Sequence, residues 1–107
     1  KFTIKKVTFM ENFMVEITLP EIQDEQFFNL IPKHRMLIND MIENGQIQQY
    51  IINAARTKGW ILFNCKNKNE VVEALQKMPI FHLIKFKIHE IMIADGELYR
   101  LPKMNLN

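Results

Sequence analysis

The sequence predicts an α+β fold of the ferredoxin-like type, in which a βαββαβ chain forms one antiparallel sheet with two helices on one face. Two segments carry apolar residues at helical spacing, and they end near Gly45 and Pro79. Two adjacent runs rich in β-branched and aromatic residues lie between them, and further strand-like segments precede and follow them. At 107 residues, 48% of them hydrophobic, the chain is expected to be one domain, residues 1–107, with a core at about 12–94 and terminal extensions.

A change of hydrophobic period marks the first strand and the first helix. Apolar residues recur at every second position over Phe13–Leu19, and Pro20 stops this strand. From Asp24, which suits an N-cap, apolar residues recur at helical spacing as far as Gly45. Pro32 lies inside this segment, so we expect a kink or a broken first part there and a cleaner helix after it.

The rest of the chain predicts a hairpin, a second helix and a last strand. Ile47–Asn53 and Gly59–Cys65 are joined by the polar turn AARTK, which suits two antiparallel strands. Asn67 or Asn69 can cap the second helix. Lys85–Ile93 then alternates as a final strand.

Both faces of the predicted sheet are apolar in the hairpin strands. The opposing sets are Trp60 and Leu62 against Ile61 and Phe63 in one strand, and Tyr50 and Ile52 against Ile47 and Ile51 in the other. Helices on one side cover only one face, so the second face needs a cover of its own. We expect a second copy of the sheet there, which gives a homodimeric α+β barrel around a cavity. The terminal segments Lys1–Phe9 and Leu98–Asn107 are expected to pack on a neighbour and to set any higher assembly.

Composition argues against several classes of partner. The net charge is +2 and the basic residues are scattered, so we expect no nucleic acid and no membrane as partner. No apolar run reaches the roughly 18 residues of a membrane span, and the start KFTIKKVTF has no signal-peptide core. The single cysteine, Cys65, is interpreted as a packed thiol in a reducing compartment, and the protein is expected to be cytoplasmic.

Metal and cofactor motifs are missing from the sequence. The three histidines lack the short spacings of a metal site, although a site assembled from distant residues stays open. With three glycines, the chain has no phosphate-binding loop, dinucleotide fingerprint or nucleophile elbow. We therefore expect no metal and no cofactor. Seven methionines and eight phenylalanines favour a small apolar or aromatic-derived ligand if they line a cavity.

The segment Leu30–Ile91 resembles the muconolactone isomerase family. In that family the second helix ends in a Leu-Pro-Leu-Phe-like turn, and Met78-Pro79-Ile80-Phe81 takes that place here within NEVVEALQKMPIFHLIKFKIHEI. The stretch MIENGQIQQYIINAA is similar to the family's helix end, glycine and second strand. Two positions depart from the family: its carboxylate-rich first-helix stretch is Pro32-Lys33-His34-Arg35 here, and a basic position of its second strand is Ile52.

The resemblance implies a dimeric α+β barrel and an activity. The family's isomerase moves a proton within an unsaturated lactone and uses neither a metal nor an organic cofactor. The chain is therefore expected to be a cofactor-free isomerase that acts by proton transfer on a small unsaturated or cyclic carboxylic acid or lactone. The alternative is a non-catalytic barrel that binds a small ligand or serves as an assembly module.

His34 and Glu16 are the predicted catalytic residues. His34 lies on the apolar stripe of the first helix, and imidazole titrates near neutrality; the alternative is a histidine hydrogen-bonded at the core edge. Glu16 lies on the strand face opposite Val15 and could act as a second acid–base group, unless it is solvated or ion-paired. We expect His34→Ala to lower turnover by about 10²–10⁴ with little change in thermal midpoint, because a rim histidine contributes little packing.

Four further residues are predicted to bind the substrate. Lys33 and Arg35 flank His34 on the first helix and are expected to attract a substrate carboxylate. Tyr50 and Trp60, one in each of the two hairpin strands, are the other two residues expected to bind the substrate.

Overall fold

The element order of the chain is β-α-β-β-α-β. The computed structural model describes residues 10–95. Its elements are β1 Glu11–Thr18, α1 Glu25–Glu43, β2 Ile47–Ile52, β3 Lys58–Cys65, α2 Lys68–Gln76, a 3-10 turn Phe81–Leu83 and β4 Lys85–Ile91. The predictions for Lys1–Phe9 and Leu98–Asn107 lie outside the described residues.

The four strands form one sheet in the order β2-β3-β1-β4. Every neighbouring pair is antiparallel, and β1 is central, with Val15 opposite Ile61 of β3 and Ile88 of β4. Because β1 pairs with both β3 and β4, each helix connects strands that are not neighbours. This is the ferredoxin-like plan, and the predicted fold class is confirmed; the dimeric barrel stays a prediction.

Helix α1 begins where the sequence predicts and continues past its proline. The Asp24 carboxylate accepts a hydrogen bond from the Phe27 N–H at 2.9 Å, which confirms the N-cap. The helix is continuous across Pro32, so the predicted broken first part is wrong, and the kink given as the other possibility stays a prediction. Pro32 and Phe28, whose carbonyl loses the usual donor, are both exposed. Water can therefore satisfy that carbonyl, which lowers the cost of a proline inside the helix.

Strand β2 contains a bulge that changes which residues share a face. Ile47 lies opposite Phe63 and Gln49 lies opposite Leu62, so the register shifts by one residue between them. As a result Tyr50 lies on the same face as Ile47, whereas Ile51 lies on the other face. The prediction that Ile47 and Ile51 share a face, with Tyr50 on the opposite one, is therefore wrong.

The main core lies between the sheet and the two helices. The central strands contribute Phe13, Val15, Ile61 and Phe63, each no more than 1% exposed. Helix α1 packs Phe27, Ile38 and Met41 against them, and α2 adds Val71, Ala74 and Leu75.

None of the helices within residues 10–95 combines the length and apolar character that crossing a membrane requires.

Candidate functional site

A cavity of about 330 Å³ lies between α1, β2 and the turn that joins β2 to β3. Small-molecule sites are commonly apolar cavities of about this size with a few convergent polar groups. Its apolar wall consists of Leu19, Phe27, Phe28, Ile31, Ile52 and Ile80. The polar groups of the wall are Gln23, His34, Arg35, Tyr50 and Arg56.

His34 and Tyr50 form a hydrogen-bonded pair in the cavity wall. His34 Nε2 lies 2.7 Å from the Tyr50 hydroxyl oxygen. Either the hydroxyl donates to an unprotonated Nε2, or a protonated Nε2 donates to the hydroxyl oxygen. Nδ1 of the same ring is buried and has no hydrogen-bond partner among residues 10–95. The pair is possible because α1 directs His34 towards the sheet and the bulge in β2 turns Tyr50 towards α1.

The surroundings of this pair favour its uncharged forms. Burial, reinforced by the positive charge of Arg35, lowers the pKa of His34 from 6.5 to about 4. Burial raises the pKa of Tyr50, and Arg35 opposes that change. At neutral pH the imidazole is therefore neutral and the phenol keeps its proton.

The cavity wall carries two cations. The Arg35 guanidinium lies 5.6 Å from the centroid of the Tyr50 ring, a cation–π distance. Arg56 reaches the cavity from the β2–β3 turn. No Asp or Glu belongs to the part of the wall that the structure describes. The site therefore favours an apolar ligand with an anionic group.

The predicted catalytic residues lie on opposite faces of the sheet. His34 packs on the helix-covered face, where it is 1% exposed. Glu16 pairs across the strands with Trp60 and Lys87 on the other face. Its carboxylate lies 3.9 Å from Lys58 Nζ, and both side chains are partly exposed. The structure does not bring His34 and Glu16 together within one chain, because the sheet separates them.

The predicted substrate-binding residues divide in the same way. Arg35 and Tyr50 contribute to the cavity wall. Lys33 is exposed on α1 and is not part of that wall, and Trp60 lies on the face opposite Tyr50. The prediction of one substrate site containing all four is therefore not met within a single chain.

His34 is not a rim residue. Its side chain is 1% exposed and hydrogen-bonded, so the premise that it contributes little packing is wrong, and we expect His34→Ala to lower the thermal midpoint. Removing it would leave a cavity and an unpaired Tyr50 hydroxyl.

Sequence reasoning missed Arg56 and Gln23. The Gln23 side-chain amide donates to the Arg56 carbonyl at 2.8 Å and to the Pro20 carbonyl at 3.3 Å, which ties the turn to the segment before α1. The only local signal was a cation in a turn that lacks glycine, AARTK. The contact itself joins residues 33 positions apart, so no local pattern predicts it.

Cys65 is not part of this cavity wall, and the described residues form no metal-binding group. Cys65 is buried, and burial, reinforced by the charge of Glu70, raises the pKa of its thiol to about 11, so it is a packed thiol at neutral pH. Within residues 10–95 no three or more His, Cys, Asp or Glu side chains are grouped so that they could hold a metal ion.

Comparison with known proteins assigns no family. No protein-family model matches the chain, and no curated protein matches it. The resemblance to the muconolactone isomerase family therefore stays a prediction from sequence.

Proposed function

We propose that the protein is a cofactor-free isomerase that moves a proton within a small unsaturated or cyclic carboxylic acid or lactone, as its resemblance to the muconolactone isomerase family implies. The observation that carries the proposal is the 2.7 Å contact between His34 Nε2 and the Tyr50 hydroxyl in the wall of an apolar cavity of about 330 Å³. This pair offers a proton acceptor and a proton donor in a largely apolar site.

The proposed chemistry uses one of the two hydrogen-bonding arrangements. When the Tyr50 hydroxyl donates to an unprotonated Nε2, the Tyr50 oxygen keeps a lone pair for the substrate. The Tyr50 oxygen then takes a proton from the carbon next to the substrate carbonyl while its own proton passes to Nε2, and the positive charge of Arg35 favours the developing enolate. The imidazolium returns its proton to the Tyr50 oxygen, which delivers a proton to a second carbon of the conjugated system. The double bond moves and no atom is gained or lost.

A negatively charged substrate would change the pKa of His34. With its pKa lowered to about 4, the neutral imidazole of the empty site is a weak base. A carboxylate bound close by would stabilise the imidazolium and raise that pKa towards neutrality, where a general base is most effective. Arg35, 5.6 Å from the Tyr50 ring, is positioned to attract such a carboxylate.

The test is turnover of muconolactone and related unsaturated lactone acids, followed by ultraviolet absorbance and by deuterium incorporation from D₂O. We expect His34→Gln and Tyr50→Phe each to lower kcat by about 10²–10⁴. His89→Gln is the matched control, because His89 lies on the opposite face beside Met14. Equal activity in all three variants would contradict the proposal, provided circular dichroism shows that each is folded.

A non-catalytic ligand-binding or assembly module is the second candidate. The observation that favours it is the low pKa of His34, about 4, which is typical of a buried structural histidine. This alternative predicts ligand binding without deuterium exchange at any ligand carbon.

We also propose a homodimer in which the uncovered faces of two sheets pack together, with the protein in the cytoplasm. The proposed dimer is supported by the apolar side chains on that face. These include the neighbours Met14, Trp60 and Leu62, and Ile51, which is 46% exposed. Glu16 would then face the space between the sheets, apart from the His34 cavity.

The dimer is tested by sedimentation equilibrium. We expect Ile51→Lys to weaken the dimer at least tenfold, because a charge would be buried without a partner. Met36→Lys is the matched control, since Met36 is 67% exposed on α1. A wild-type mass of one chain at micromolar concentration would contradict the homodimer.

A further inference from the structure

Arg56 has an unusual backbone conformation for its residue type. Its φ is +58°, and it is the sole residue other than glycine with a positive φ within residues 10–95. A side chain with a Cβ is disfavoured in this left-handed region, whereas glycine adopts it freely and asparagine adopts it more readily than most residues. The turn AARTK thus has an arginine at a position where glycine would adopt the same backbone conformation with less strain.

The turn around Arg56 is held by a dense set of hydrogen bonds. The Asn53 side-chain oxygen accepts from the N–H groups of Thr57 and Lys58 at 2.9 and 3.0 Å. The Arg56 N–H donates to the Asn53 carbonyl at 3.0 Å, and the Gln23 amide donates to the Arg56 carbonyl at 2.8 Å. These contacts fix the direction in which the arginine side chain leaves the turn.

Arg56 lies where two cavities meet. The His34 cavity of about 330 Å³ and a second one of about 570 Å³ share Leu19, Gln23, Phe28 and Arg56 in their walls. Glu21 and Lys58 are the other charged residues of the second cavity. The one ion pair between described residues joins Lys58 to Glu16, so no carboxylate of residues 10–95 forms a direct ion pair with Arg56.

We infer that Arg56 is a binding residue that determines ligand specificity: it holds an anionic group at the junction of the two cavities while the apolar body of the ligand occupies the His34 cavity. A strained backbone kept at a cavity wall points to a requirement for the side chain itself. A guanidinium matches a carboxylate with two parallel hydrogen bonds. The inference rests on the proposed function only in taking the His34 cavity as the ligand site.

The test separates the side chain from the backbone. Benzoate and its uncharged counterpart benzamide are titrated into isotope-labelled protein and followed by NMR. Wild type should bind benzoate about tenfold more tightly than benzamide, a difference of about 1.4 kcal/mol. Arg56→Gly should lose most of that difference, with Arg35 accounting for what is left, and its thermal midpoint should equal or exceed that of wild type because the strained conformation is relieved.

Two controls complete the design. Arg56→Lys keeps the charge and should retain part of the preference for benzoate, whereas Lys33→Gln removes a cation outside the cavity wall and should behave as wild type. Three results would each overturn the inference: wild type that does not prefer benzoate, Arg56→Gly that keeps the preference, or Arg56→Gly with a lowered thermal midpoint. The inference and the proposed isomerase can fail separately. If Arg56→Gly loses the preference for benzoate but wild type turns over no lactone, Arg56 is supported as the binding residue and only the isomerase activity is rejected.

Discussion

The two faces of the sheet arise from the same alternating strands and differ in what covers them. On the helix-covered face Val15, Ile61 and Phe63 are fully buried. On the other face Leu62 is 8% exposed, Trp60 is half-buried and Ile51 is 46% exposed. Alternation decides which residues share a face, but complete burial along a face requires a second layer, and α1 and α2 supply that layer on one side only.

The faces also differ in electrostatics. The helix-covered face encloses the neutral pair His34 and Tyr50. The other face presents the partly exposed ion pair of Glu16 and Lys58. A polar group that is withdrawn from water must be neutral or paired, whereas a charge at an exposed position costs little. Polar side chains are therefore uncharged on the helix-covered face and ionised on the other face.

Matched isoleucine substitutions give the largest expected contrast between the faces. Ile61→Ala should lower the free energy of unfolding by about 2–5 kcal/mol, because its side chain is fully buried. Ile51→Ala should lower it by less than about 1 kcal/mol at low protein concentration. Urea unfolding measures both. A cost for Ile51→Ala that grows with protein concentration would point to a partner on that face; equal costs at low concentration would contradict the contrast.

The pH dependence of stability isolates the buried histidine. The pKa of His34 is about 4 in the folded chain and 6.5 as the ordinary value, so between these pH values the unfolded chain binds a proton that the folded chain does not. The free energy of unfolding should therefore fall by about 3 kcal/mol as the pH drops from 6.5 to 4. Subtracting the profile of His34→Gln removes the contribution of the carboxyl groups.

The control for this profile is the histidine on the opposite face. His89→Gln still contains His34 and should lose stability with falling pH as wild type does. If the difference between wild type and His34→Gln does not change over this pH range, His34 is not held in its neutral form by burial.

Adding an atom tests how closely the helix-covered face is packed. A Cβ at Gly59 would lie 2.6 Å from Ile52 Cδ1, 2.9 Å from the Ile51 carbonyl oxygen and 3.0 Å from Ile17 Cδ1. Because one of these neighbours is backbone, Gly59→Ala should destabilise the fold by about 1–3 kcal/mol in urea unfolding. Lys58→Ala, one position earlier, should change stability by no more than about 0.5 kcal/mol. A neutral Gly59→Ala would mean that the strands can separate there.

Hydrophobic period and capping residues were sufficient to predict the fold. Asp24 and Asn67 cap the two helices through side-chain hydrogen bonds, as their positions in the sequence indicate. Both signals act within a few residues of the chain, which is why sequence alone exposes them. The continuity of α1 past Pro32 was not predictable, because it depends on exposure in the folded molecule.

The candidate site was predicted only in part. The helical stripe correctly directs His34 towards the sheet. Its partner Tyr50 and the cation Arg56 depend on the register of β2 and on the position of a turn against the segment before α1. These contacts join parts of the chain that are distant in sequence, so composition and residue spacing do not predict them.

The bulge in β2 makes strand register, and not only residue identity, a determinant of the site. Gln48 is the extra residue between the paired positions Ile47 and Gln49. Regular pairing without a bulge would instead place Gln48 opposite Leu62, so Tyr50 would lie beside Trp60 and Ile51 would turn towards α1. Both members of the His34–Tyr50 pair would still be encoded, yet the two could no longer meet. Deleting Gln48, in contrast, would leave Tyr50 two residues after Ile47, so alternation alone would keep it on the helix-covered face and retain the pair.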